Sequence, residues 1–149
     1  MSPARVSPAL RKAVRERAKG CCEYCLLPEG QAFFPHEPDH IIATKHGGQS
    51  SIHNLAFACF DCNRFKGSDI ASIDPDRREL TALFNPRTQE WNEHFIINGG
   101  LIEPRTAIGR VTESVLKLNL PSRVEVREML GGIRRYPPTR NWAEDLKDS

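Results

Sequence analysis

The chain has 149 residues, 39% of them hydrophobic and 27% charged, which suits one folded domain and argues against a disordered chain. No apolar run approaches the roughly 20 residues that span a bilayer, and the basic N-terminus lacks the apolar stretch of a secretory signal. The net charge of +2 hides an asymmetry: residues 1–20 hold six basic side chains against one acidic, whereas residues 21–70 hold three against six. Basic segments commonly meet phosphate, and acidic segments rich in Cys and Asp commonly hold cations.

Ser7 before Pro8 predicts a helix start, and Leu10, Ala13, Val14 and Ala18 recur at helical spacing up to Gly20. That helix would turn Arg11, Lys12, Arg15 and Lys19 towards solvent or a ligand. A loop carrying Cys21, Cys22 and Cys25 follows, closed by Pro28 and Gly30. Residues 32–42 read as a strand, irregular or at an edge because Pro35 and Pro38 cannot donate to a ladder. Residues 44–51, with Gly47-Gly48, form a loop. Residues 54–59 are a short apolar strand, and residues 60–66 a brief helix ending at Gly67. Residues 91–97 and 101–103, around Asn98-Gly99-Gly100, predict a β-hairpin. Thr106 can cap a helix to Leu118, and residues 122–130 make another. The end of the chain, with Pro137-Pro138, is expected to be peripheral. The organisation is thus a single domain over 1–149: a basic helix (1–20), a cysteine-bearing core (21–70), a hairpin and helical extension (71–130) and a tail (131–149).

Cys22-Glu-Tyr-Cys25 and Cys59-Phe-Asp-Cys62 are two C-x-x-C pairs 33 residues apart. Together they can complete a tetrahedral four-sulfur shell around zinc, and a closed shell holds a fold without performing chemistry. Five cysteines with no export signal fit a reducing, cytoplasmic compartment. Cys21 is the leftover, able to replace Cys22 through the longer C-x-x-x-C spacing. Redox use of the pairs is the competing reading, and it predicts little bound zinc.

Between and after the cysteine pairs stand Asp39-His40-Ile41, Asn54-Leu55 and Cys62-Asn63-Arg64-Phe65-Lys66-Gly67. In this order and spacing the sequence resembles the HNH endonuclease family, over about residues 21–70. The segments 83–87, 91–95 and 106–110 are similar to an extension found in small bacterial members. The resemblance implies an α+β fold: a small ββα-metal core stapled by a four-cysteine zinc site, with an N-terminal helix, a C-terminal hairpin and C-terminal helices.

The side chains suit the implied chemistry. Phosphodiester hydrolysis needs an activated water, a cation for developing charge and help for the leaving oxygen. His40 carries an imidazole, a side chain suited to accept the water proton. Asp39 and Asn63 offer oxygens to one catalytic ion, favouring Mg²⁺ or Mn²⁺. Asn63 stands where the family often has His, which makes this an H-N-N variant. By the resemblance, Asn54 ties the loop to the first strand and orients His40, and cleavage leaves 5′-phosphate and 3′-hydroxyl ends. Lys66 and Arg64, with Arg11, Lys12 and Arg15 of the first helix, are candidate nucleic-acid contacts, although a solvated charged face explains the helix equally well. His36 could share the face of His40, and His94 is expected to be structural. Asp39 and His40 are adjacent, so they can share a site only at a strand end or bulge. The expected partner is DNA, with RNA and the oligomeric state left open. The alternative is a catalytically inactive, zinc-stabilised DNA-binding module.

Overall fold

The structure is a computed structural model describing residues 6–138. Ser7 caps helix α1 (Pro8–Arg17), its Oγ accepting the Leu10 N–H at 3.1 Å, and Pro8 takes the first position, where no N–H is needed. Val14 and Ala18 form the buried side of this segment, and α1 packs on an antiparallel pair, β1 (Glu37–His40) and β2 (Leu55–Ala58).

Strand β2 has no solvent face. Its side chains alternate between two cores: Leu55 and Phe57 meet Val14 and Ala18, while Ala56 and Ala58 enter the main core beside the cysteines. Each large apolar side chain buried there contributes about 1.5–3 kcal/mol. The register runs without a bulge from Glu37↔Ala58 to His40↔Leu55, and Pro38 is tolerated because β1 belongs to a two-stranded ribbon. The expected strand over 32–42 is therefore only four residues long. Phe33 and Phe34 lie outside it, Phe33 being 95% exposed.

Cys59 caps helix α2 (Phe60–Lys66), its Sγ accepting the Cys62 N–H at 3.4 Å, and Gly67 ends the helix at a positive φ of 52°. A hairpin that the sequence reading lacks follows, β3 (Ala71–Ile73) with β4 (Leu80–Ala82). Its turn is held by Asp74, whose carboxylate accepts the Asp76 and Arg77 N–H groups and both arms of Arg110 at 2.9 Å. The next hairpin starts later than expected, because Trp91–His94 makes a helical turn, α3, before β5 (Phe95–Asn98) and β6 (Leu101–Pro104). The turn places Trp91 and Phe95 four residues apart on one side, with ring centroids 4.9 Å apart, and Trp91 Nε1 donates to the Tyr24 carbonyl at 2.9 Å.

Thr106 caps helix α4 (Ala107–Leu116), and α5 (Pro121–Gly132) follows. The expected peripheral tail is corrected at Tyr136, which is buried and donates its hydroxyl to the Cys25 carbonyl at 2.8 Å. Residues 139–149 of that tail and residues 1–5 of the basic arm lie outside the described residues. Among the described residues no helix is long and apolar enough to cross a membrane.

Helix α4 meets the α3–β5 junction at Gly109, where an added Cβ would stand 2.3 Å from the His94 carbonyl oxygen. Gly109→Ala is expected to lower stability by about 1–3 kcal/mol through this overpacking, read as a lower urea midpoint at unchanged m-value.

Candidate active site and metal centre

The four Sγ atoms of Cys22, Cys25, Cys59 and Cys62 lie within 4.8 Å of one another, and Cys25 and Cys59 approach to 3.6 Å. Zinc held tetrahedrally at the usual bond length separates its sulfurs by about 3.8 Å, so the donor set and its spacing fit that ion. In each pair the second cysteine's N–H points at the first cysteine's sulfur, at 3.5 and 3.4 Å. Burial pushes the Cys22 and Cys62 thiols up, and they need a neighbouring cation to ionise. Cys21 stands outside this group. Its thiol is pushed up to about 11, chiefly by burial, and its Sγ lies 3.7 Å from the Lys19 carbonyl oxygen.

Helix α5 supplies a buried cation to the cluster. Arg123 is 7% exposed, and its Nη2 lies 3.0 Å from Cys62 Sγ and 3.7 Å from Cys59 Sγ. Its Nη1 donates to the Leu116 and Lys117 carbonyls at 2.7 and 3.1 Å, which fixes the guanidinium at the end of α4. Nothing in its local sequence marks this role. Glu23, between the first two cysteines, is buried as well. It accepts the Phe57 N–H at 2.7 Å and pairs with Arg87.

The second cluster lies at the C-terminal end of β1. His40 is the last strand residue, and its Nε2 lies 2.8 Å from Ser50 Oγ. Asn54 brackets the intervening loop: its Oδ1 accepts the Ile42 N–H at 3.0 Å, and its Nδ2 donates to the Ile42 and Gln49 carbonyls at 2.9 Å each. The amide thus reaches His40 through the loop, by holding Gln49 next to Ser50. Gly48 makes this approach possible, since a Cβ there would stand 1.7 Å from the Ile42 carbonyl oxygen and 2.8 Å from Asn54 Nδ2. From the other side, Arg17 donates to the Ile52 and Leu55 carbonyls at 2.6 and 2.5 Å, straddling Asn54. Ser50, Gly48 and Arg17 are roles the sequence reading missed.

Asp39 leaves the opposite face of β1 and is 4% exposed. Its Oδ2 accepts the Tyr24 hydroxyl at 3.0 Å and lies 3.1 Å from Lys66 Nζ. Burial raises its pKa, and the Lys66 and Tyr24 contacts oppose that rise. Lys66 must be corrected as a nucleic-acid contact. It is 2% exposed, and its ammonium also donates to the His40 and Ile41 carbonyls at 3.0 and 3.2 Å. Three acceptors meet its three N–H donors, so none is left for a phosphate. The contact instead fastens the last turn of α2 to the end of β1. Asn63 lies three residues before Lys66 on α2, the spacing of neighbours on one helix face, and is half-buried.

The expected basic surface is partly offset. Arg11 pairs with Glu37, Arg15 with Glu29 at 2.6 Å, and Lys12 lies 3.9 Å from Glu16. Arg64 sits over the Phe65 ring at 4.3 Å and 3.3 Å from Asp61. His36 does not join the site, because it is buried with Nε2 2.7 Å from the Leu27 carbonyl oxygen. His94 is structural as expected, its Nδ1 2.7 Å from Thr106 Oγ1.

Residues 22–69, about a third of the chain, match the family model described as HNH endonuclease. Over these residues the chain is similar to HNH endonucleases. No curated protein and no solved structure matches the chain significantly. The HNH segment spans both C-x-x-C pairs, β1, β2 and α2, which together form the ββα unit around the four-cysteine cluster. Its presence indicates nuclease or nucleic-acid-binding activity.

Removing the buried cation beside the thiolates of the HNH segment tests its part in metal retention. Arg123→Met is expected to lose a charge-assisted hydrogen bond worth about 1.5–3 kcal/mol, so that zinc leaves at a lower chelator concentration than in the parent or in Arg123→Lys. Equal release from all three proteins would remove that role.

Proposed function

We propose that the chain is a metal-dependent HNH endonuclease that hydrolyses phosphodiester bonds in DNA, with zinc in the four-cysteine cluster as a structural ion. The observation that carries this reading is the bracketing of the His40 loop. Asn54, Gly48 and Ser50 are spent on the orientation of one imidazole, and a module that merely bound nucleic acid would have no use for it.

In this reading His40 is the general base. In the tautomer in which Nε2 donates to Ser50 Oγ, Nδ1 keeps its lone pair and takes the proton of the attacking water. Asp39 and Asn63 are the residues that would hold a divalent ion. Both protein donors to Asp39 converge on Oδ2, leaving Oδ1 with no donor among the described residues. The Asn63 carboxamide supplies a second oxygen, a set that fits a hard ion such as Mg²⁺ or Mn²⁺. When bound, the ion would stabilise charge on the phosphoryl and leaving oxygens. Asn54 acts through the loop and touches no reacting atom. In-line attack leaves 5′-phosphate and 3′-hydroxyl ends.

The test is supercoiled plasmid incubated with the zinc-loaded protein, with and without Mg²⁺ or Mn²⁺. The parent is expected to nick only with the added ion, and His40→Ala to lose at least about 10²-fold in rate at unchanged zinc content and circular dichroism. A mobility shift with no nicks in any metal would favour a binding module, and undiminished cleavage by His40→Ala would remove the mechanism.

A further inference from the structure

The end of β1 carries the buried carboxylate of Asp39. Among the described residues, the cysteine cluster is the one group of three or more His, Cys, Asp or Glu side chains able to surround a common ion. Asp39 belongs to no such group, its charged partner is Lys66, and Asn63 is neutral. The charge of Asp39 is moreover already matched by Lys66, whose ammonium is buried with it, 3.1 Å from Oδ2, and tied in place by two main-chain carbonyls. An incoming dication at Oδ1 meets a carboxylate that has a resident counter-ion, and a positive charge that cannot swing away. Mg²⁺ and Mn²⁺ keep several waters and are commonly completed by substrate phosphate oxygens when protein carboxylates are few.

Resting on the nuclease reading above, we infer that this protein does not store its catalytic ion: the divalent cation is recruited together with the nucleic-acid phosphate, and Lys66 sets that dependence. The phosphate supplies the negative charge that the Asp39–Lys66 pair withholds. Lys66 is thereby a positioning residue that acts through Asp39, and it fixes the order of assembly at the site.

The experiment is a Mn²⁺ titration of the full, zinc-loaded chain followed by electron paramagnetic resonance, in the His40→Ala background so that no DNA is consumed. It is run alone and with a short DNA duplex, after subtraction of Mn²⁺ bound by duplex alone. Weak binding to protein alone, tightened at least about tenfold by the duplex, is the expected result. Lys66→Met should tighten Mn²⁺ binding without duplex by a similar factor, and Asp39→Asn should abolish the duplex-induced site. Tight binding to protein alone, unaltered by duplex, would overturn the inference and leave the nuclease reading standing. No protein-dependent Mn²⁺ site with or without duplex would overturn both. If Lys66→Met does not fold, the comparison with and without duplex decides alone.

Discussion

Four thiols from two loops 33 residues apart must reach one point, and much of the rest follows from that requirement. Closing the two C-x-x-C pairs on one ion draws the Cys22 loop against the start of α2, with β2 running directly into the second pair. A domain of this size gains little from strands of four residues, so a metal held by the four cysteines would supply order that the ladder alone does not. The buried Arg123 and the hydroxyl of Tyr136 then attach the C-terminal region to the same cluster.

Helix α2 is short, yet it serves two neighbourhoods. Cys62 faces the sulfurs, while Lys66 reaches the end of β1. Successive helical residues are turned by about 100°, so Cys62 and Lys66, four positions apart on a helix of two turns, serve two neighbourhoods without lengthening it. On β1 the pleat does the same for Asp39 and His40. They leave opposite faces, and only the termination of the strand at His40 frees the imidazole to meet the loop. The cysteine cluster and the His40 site are in this way built from overlapping pieces of backbone.

Motif spacing made the cysteine cluster, α2 and its stop at Gly67 legible, because each depends on residues close in sequence. The same holds for the caps at Ser7 and Thr106. What stayed hidden depends on distant partners. A lysine three residues after Asn63 reads as a surface phosphate contact until the fold brings Asp39 and two carbonyls to it. The β3–β4 hairpin escaped because Ile73 and Leu80 are exposed and its strands have three residues each, too few to alternate visibly. Trp91 and Phe95 fit a strand and a helical turn equally well by pattern, and packing under Tyr24 settled the choice. Ser50 and Arg17 carry no local signal at all.

The clamp made by Arg17 has a wider meaning. It grips the turn around Asn54 from a helix that precedes the matched family segment, just as Arg123, Arg87 and Tyr136 reach in from beyond its other end. The compact HNH cassette is therefore not portable on its own. Transplanted into another protein as residues 22–69, it would arrive without its outer scaffolding, and the host would have to provide equivalent props before the imidazole could hold its aim.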